Sequence, residues 1–227
     1  MMTENPKNLV PKFFNKTALS YDKIVNRTTF GKDKCWKAEI LKKIPQSESI
    51  LDLACGTGIL TEQIAKKFPN IKIVGVDVTQ NYLEIAERKL SAYENVSFVN
   101  QDAEKLNLNY KFDCITSSYI PKYCTPEILI KSCLDHLKPN GKIIFHDFIY
   151  PKSKILRVMW NIYFVVLNGF GHFIPNWKDV FEDLPKLIRK SRWLDDYDAT
   201  MQNLGLITQR QYLTWRTSAI LTCVNKV

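Results

Sequence analysis

The chain has 227 residues, 45% of them hydrophobic, and a formal net charge of +9, which suits one domain with extra segments and a sizeable core. Its six cysteines form no CxxC pair and no Cys/His cluster, which argues against a disulfide framework or a metal site and fits a reducing cytoplasm. No secretory signal is expected from the polar N-terminal stretch MMTENPKNLVPKFF.

In chain order, residues 9–25 and 30–44 read as two helices. Short apolar runs then alternate with helical patterns. SILDLAC (49–55), IKIVGVD (71–77), VSFVNQD (96–102), FDCITSS (112–118) and GKIIFHDFI (141–149) read as strands buried on both faces. Helices are expected at 59–68, 79–93 and 125–137. The last has Thr125 at the N-cap, Pro126 in its first turn and Lys138-Pro139-Asn140-Gly141 as its stop. Residues 151–204 are largely helical and rich in aromatics, and 205–227 supply two strands able to pair antiparallel. The alternation predicts an α/β fold: a Rossmann-like three-layer sandwich on a mostly parallel seven-stranded sheet. The expected division is 1–46 as N-terminal helices, 47–150 as a ligand-binding core, 151–204 as a helical lid after the fifth strand, and 205–227 as edge strands.

Charge is distributed unevenly along this plan. Residues 1–44 hold ten basic and four acidic side chains, 45–150 hold eleven and thirteen, and 151–227 hold eleven and six. Basic flanks can meet nucleic acid, an anionic membrane surface or only solvent. The aromatic stretch 154–177 is not expected to span a membrane, because Arg157, Asn161, Asn168, Gly169, Gly171 and His172 interrupt it.

The chemistry concentrates in LDLACGTG (51–58), an acidic residue followed by Gly56-Thr57-Gly58 where a strand gives way to a helix. Glycine there allows a tight turn and a close approach of backbone to ligand. A dinucleotide fingerprint wants a third glycine where Thr61 stands, and no Lys-Ser/Thr pair marks a phosphate loop. A ligand without phosphates fits better, and S-adenosylmethionine is one. Asp52, Asp77 and Asp102 recur at intervals of 25 residues, which places a carboxylate near the carboxyl end of each of three strands. Asp77 can accept two ribose hydroxyls, Asp102 an adenine amino group, and Asp52 can compensate an ammonium. A helix N-cap is the plainer reading of any one of them.

LDLACGTG, VGVD, QDAE, FDCITSS and LKPNGKIIFHDF together resemble the core of class I S-adenosylmethionine-dependent methyltransferases. Over nearly all of residues 10–225 the chain is similar to the UbiE/MenG type, the C-methyltransferases of ubiquinone and menaquinone biosynthesis. YDKIVNRTTFGKDKCWK (21–37) matches that family's Tyr-Asp, Ser/Thr-Phe-Gly and Trp-Lys pattern. The resemblance implies donor contacts at Thr57, Asp77, Asp102, Ala103 and Ser118, with Tyr21 and Lys37 near the entrance. It departs on the acceptor side. Tyr119-Ile120-Pro121-Lys122-Tyr123 replaces Phe-Gly-Leu-Arg-Asn, and the family's tyrosine-containing segment is replaced by residues 176–184, followed by Ile188-Arg189.

Ring C-methylation needs a base to deprotonate a neighbouring hydroxyl. His146 and Asp147 end the fifth strand, and alternation lets only one of them face a site. Asp147 matches an acidic family position and is the favoured base, while Arg189 could steady a developing phenolate. The expected function is therefore transfer of a methyl group from S-adenosyl-L-methionine, leaving S-adenosyl-L-homocysteine, to a hydrophobic acceptor such as a prenylated quinol. Transfer to another hydrophobic or small-molecule acceptor is the alternative. A nucleic-acid methyltransferase is disfavoured, since Ser117-Ser118-Tyr119-Ile120-Pro121 lacks the order of a base-gripping motif. A non-catalytic binding module would not need the Asp52, Gly56, Gly58, Asp77 and Asp102 set. Peripheral membrane contact and a homodimer stay open.

Overall fold

The computed structural model describes residues 6–225; the extreme ends of the expected domain, 1–5 and 226–227, lie outside the described residues. Seven strands form one sheet: β1 (Ser49–Leu53), β2 (Lys72–Asp77), β3 (Val96–Asn100), β4 (Phe112–Ser118), β5 (Leu137–Phe148), β6 (Ile207–Leu213) and β7 (Ser218–Val224). Their order is β3-β2-β1-β4-β5-β7-β6. The first five run parallel, and β7 pairs antiparallel with both β5 and β6. Every residue of β1 is buried, as a strand covered on both faces requires.

The helices are α1 (Leu9–Phe14), α2 (Tyr21–Thr28), α3 (Lys32–Lys43), α4 (Ile59–Lys67), α5 (Gln80–Lys89), α6 (Pro126–Asp135), α7 (Lys154–Gly171), α8 (Lys178–Lys190) and α9 (Trp193–Asn203). On one sheet face Ile40 of α3 and Leu60 and Ile64 of α4 pack against Ile50, Ile73 and Ile144. On the other, Leu129 and Cys133 of α6 and Tyr197 and Met201 of α9 pack against Leu51, Ile115 and Phe145. Thus α9, within the 151–204 segment expected as a lid, belongs to the layer covering the sheet. A third cluster joins α1, α2, α7 and α8 through Phe13, Ile24, Leu167, Trp177 and Phe181. It includes Tyr123, from the segment after β4, so this helical layer stands at the carboxyl edge of the sheet.

Several boundaries differ from the sequence reading for identifiable reasons. The helix expected over 9–25 is split, because the Thr17 hydroxyl turns back to the Phe13 carbonyl at 2.9 Å and meets the Tyr82 hydroxyl at 2.7 Å. Thr125 occupies the N-cap of α6 without a side-chain cap; its backbone N–H instead donates to Glu104 at 2.7 Å. Lys138-Pro139-Asn140-Gly141 does follow the end of α6, but as an irregular start to β5 rather than a separate turn. Asn140 has a φ of 60° there and the pairing with β4 shifts register. β1 stops at Leu53, and Ala54, expected in the strand, opens the turn with a φ of 51°.

Candidate active site

After β1 the chain turns through Ala54, Gly56 (φ 57°) and Gly58 (φ 77°) into α4. A side chain at Gly58 would be strained by that φ and would stand 3.0 Å from Leu90 and 3.2 Å from Ala86 of the α5 segment. The Gly56 N–H donates to Asp77 Oδ2 at 2.9 Å, and the Thr79 N–H donates to Asp77 Oδ1 at 2.8 Å. Burial raises the Asp77 carboxyl above its ordinary range, and these two backbone donors pull it back. Asp77 lines a cleft of about 270 Å³.

The regular spacing of the three aspartates does not put them in one place. Leu51 pairs with Val74, and Val74 with Ser97, an offset of 23 residues between partners. A sequence interval of 25 therefore carries each successive carboxylate two residues further toward the sheet edge, about 7 Å each time. Asp52 lies deepest, 1% exposed, accepting from the Thr61 hydroxyl at 2.7 Å and the Thr116 hydroxyl at 3.0 Å. Burial raises its pKa from 3.8 to about 6. It does not line the cleft, so its expected contact with a ligand ammonium gives way to a supporting place beneath the turn. Asp77 sits at the lip. Asp102 lies beyond the end of β3, where Lys7 donates to both of its oxygens at 2.7 and 2.5 Å.

Gly56, Asp77, Asp102, Ala103, Ser118 and Tyr21 all line this one cleft. Thr57 is buried beneath it, its hydroxyl donating to Asp22. Lys37 is buried in an ion pair with Asp33 and stands 4.9 Å above the Tyr119 ring, behind the cleft wall. Sequence reasoning missed Lys7, Val78, Tyr82, Tyr119, Ile120 and Tyr123 as lining residues. Val78 carried a signal, being an apolar side chain immediately after a strand-end aspartate; it is 52% exposed. The approach of Lys7 to Asp102 across 95 residues left no local trace.

One side of the cleft is aromatic. The Tyr21 ring stands edge-on to Phe14 and Tyr82 with centroids 6.2 and 5.2 Å away, and stacks on Trp177 at 6.0 Å. Burial holds the Tyr21, Tyr119 and Tyr123 phenols well above their ordinary pKa. The Tyr119 hydroxyl donates to Asp33 at 2.7 Å, and Tyr119 keeps a φ of 78°, so the segment that departs from the family pattern is built into the cleft wall.

The three expected catalytic residues are placed apart. His146 is fully buried on the α3 side of β5. Its Nδ1 lies 2.9 Å from the Ser118 hydroxyl and its Nε2 2.6 Å from the Ser218 hydroxyl. Burial, reinforced by Lys37 and Lys122, drives its pKa well below the ordinary value, so the ring is neutral. It meets the cleft wall through the Ser118 hydroxyl and the Tyr119 ring, whose centroid is 5.2 Å away. Asp147 points to the opposite face, fully buried, and accepts from Lys122 Nζ at 2.8 Å, the Lys122 N–H at 3.1 Å and the Phe148 N–H at 2.7 Å. That carboxylate, the favoured base of the sequence reading, is ion-paired with Lys122 and lies outside the cleft lining. Arg189 is exposed on α8, donates to Asn161 of α7 at 2.9 Å and lies 5.2 Å over the Trp160 ring. It ties the two helices together away from the cleft.

Comparison with known proteins agrees with this geometry. The profile of the ubiE/COQ5 methyltransferase family matches residues 1–223. The chain is similar to a demethylmenaquinone methyltransferase of Staphylococcus aureus, 28% identical over 213 residues covering 90% of this chain and 87% of the relative. In structure it resembles the N-methyltransferase NodS from Bradyrhizobium japonicum in complex with S-adenosyl-L-homocysteine, with a TM-score of 0.57, 14% identity and coverage of 86% and 87%. It also resembles the plantazolicin methyltransferase BpumL in complex with a monoazolic desmethylPZN analog and S-adenosyl-L-homocysteine, with a TM-score of 0.62, 12% identity and 98% of each chain covered.

Proposed function

The chain belongs to the ubiE/COQ5 methyltransferase family, and from that premise we propose that this S-adenosylmethionine-dependent enzyme C-methylates a demethylmenaquinol- or ubiquinol-type ring. The observation that carries the acceptor class is the aromatic wall formed by Phe14, Tyr21 and Tyr82 beside the strand-end carboxylates. A flat, electron-rich ring can lie against such faces. The donor side fits a nucleoside. Asp77 can accept ribose hydroxyls, Val78, Ala103 and Ile120 offer apolar contact to a purine, and the absent Cβ at Gly56 leaves the backbone open to approach.

When bound, S-adenosylmethionine supplies an electrophilic methyl group on its sulfonium. The chain's task is to position the acceptor carbon and to take the hydroxyl proton that makes that carbon nucleophilic. In this reading Ser118 is the group facing the acceptor. With the imidazole proton on Nε2, donated to Ser218, Nδ1 of His146 can accept the Ser118 proton as the hydroxyl takes one from the acceptor. The burial and neighbouring lysines that hold the ring neutral make the imidazolium a transient carrier that must pass the proton on. Asp147 then acts as a positioning residue, anchoring Lys122 and with it the 119–124 wall. Residues 47–150 hold the donor, α7 and α8 cover the acceptor side, and Arg189 fastens that cover.

The departure at Tyr119 to Tyr123 favours one second reading, methylation of a different hydrophobic acceptor. Incubating the purified enzyme with methyl-labelled S-adenosylmethionine and a bacterial lipid extract, followed by mass spectrometry, separates the two. Label on a quinone ring supports the proposal, and label confined to another metabolite overturns it.

A further inference from the structure

The outward face of α7 carries apolar side chains where a helix on a protein surface ordinarily carries charge. Ile155, Val158, Met159, Ile162, Val165, Val166 and Phe170 are 50–74% exposed at spacings that place them on one side of the helix, and Phe173, 84% exposed, follows just past its end. The inward face is apolar too. Trp160 and Gly171 are buried, Leu167 packs into the helical cluster, and a Cβ at Gly171 would stand 3.2 Å from Phe181 of α8. A helix apolar on both faces needs a second apolar surface to cover it. Phe30, 79% exposed, extends the patch through its contact with Tyr163 at 5.8 Å.

Within the segment that carries the stripe, charge has one sign. No Asp or Glu occurs between Asp147 and Asp179, whereas Lys152, Lys154 and Arg157 stand at the start of α7. Such a rim complements phosphate headgroups, and apolar side chains flanked by cations are the composition of a helix lying in a bilayer interface. Among the described residues no helix is long and apolar enough to cross a membrane, and α7 is bound lengthwise to α8.

We propose that α7 docks the enzyme on anionic phospholipid bilayers, lying in the interface plane with the Ile155–Phe173 stripe among the acyl chains. The docked face adjoins the acceptor side of the cleft, because Trp177, just beyond α7, stacks on Tyr21 of the cleft wall. Delivery of a lipid-borne quinol by this route rests on the acceptor proposed above; docking itself does not.

Flotation of the full chain with phosphatidylcholine vesicles, with and without phosphatidylglycerol, tests docking without requiring turnover. The wild type should float with the anionic vesicles and less so in high salt. Ile162→Glu/Val165→Glu should lose about tenfold or more of that binding, with unchanged thermal unfolding and donor affinity. A wild type that stays in solution, or a variant that floats equally well, overturns the proposal. So does light scattering that shows a wild-type dimer and a monomeric variant, which would assign the stripe to a second copy. Failure to methylate any quinol would leave the flotation result intact and would remove the acceptor reading alone. With a quinol substrate in hand, the variant should keep turnover on a soluble short-tailed quinol and lose it on a vesicle-borne one; equal turnover on both would refute delivery.

Discussion

Replacing Asp147 by Ala strands a charge. Lys122 Nζ and Asp147 are 2% and 0% exposed at their side chains and 2.8 Å apart, and the carboxylate also accepts two backbone N–H groups. Removing one partner of a buried pair costs about 3–5 kcal/mol, a large share of the roughly 5–15 kcal/mol that holds a domain folded. For a chain of this size that lowers Tm by about 6–20 °C. The Lys122→Met/Asp147→Asn double variant removes the stranded ammonium and keeps one acceptor for the backbone, and it should recover most of the loss. Thermal unfolding and turnover are to be measured on the same preparations. If Asp147 only positions Lys122 and the cleft wall, turnover returns with Tm in the double variant. A double variant that regains Tm but stays inactive, or an Asp147→Ala enzyme that keeps its Tm within about 2 °C while losing turnover, refutes this reasoning and restores Asp147 as the base.

Asp77→Ala should weaken S-adenosylmethionine binding about a hundredfold or more, since the two charge-assisted hydrogen bonds to the ribose proposed for its carboxylate would be lost; calorimetry showing an unchanged Kd would contradict the site. His146→Asn should lower kcat by about a hundredfold or more with little change in donor affinity, and an unaltered kcat and pH profile would exclude the Ser118–His146 path. Asp52, raised from 3.8 to about 6, favours the folded state while protonated; that contribution is complete below pH 3.8 and is lost as pH rises through about 6. It amounts to about 3 kcal/mol, so Asp52→Asn should gain stability relative to wild type between pH 4 and 7 in chemical unfolding, and parallel pH curves would disprove it. Arg189→Ala should change turnover on a soluble acceptor by less than about threefold, because its exposed contacts are with Asn161 and Trp160; a loss of orders of magnitude would return it to the chemistry.

The seven-strand plan and much of the cleft lining were legible because they are written in short stretches. An apolar run ending in Ala-Cys-Gly-Thr-Gly can only be a buried strand feeding a tight turn, and residues 54–58 are such a turn, with left-handed backbone at three positions. The depth of the three aspartates was not legible. The 25-residue interval is visible in the sequence, but the 23-residue pairing offset exists only in the sheet, and the two-residue difference separates a buried support from a cleft lip. Even Thr61, read as the absence of a third glycine, has a positive role, since its hydroxyl holds Asp52 under the turn.

The partners of the residues ending β5 were not legible for a further reason. His146 and Asp147 are adjacent, both titratable and both at a strand end, and composition cannot rank them. What ranks them is contributed from far along the chain: Ser218 and Trp36 around the imidazole, and Lys122 on the carboxylate. The Asp147 carboxylate accepts from an ammonium and two backbone N–H groups and lies outside the cleft lining. A neutral imidazole bridged by two hydroxyls keeps one nitrogen able to accept a proton. Two titratable residues at the same strand end therefore separate into an ion-paired carboxylate and a hydroxyl-bridged imidazole according to the partners the fold brings, and no local motif records that difference.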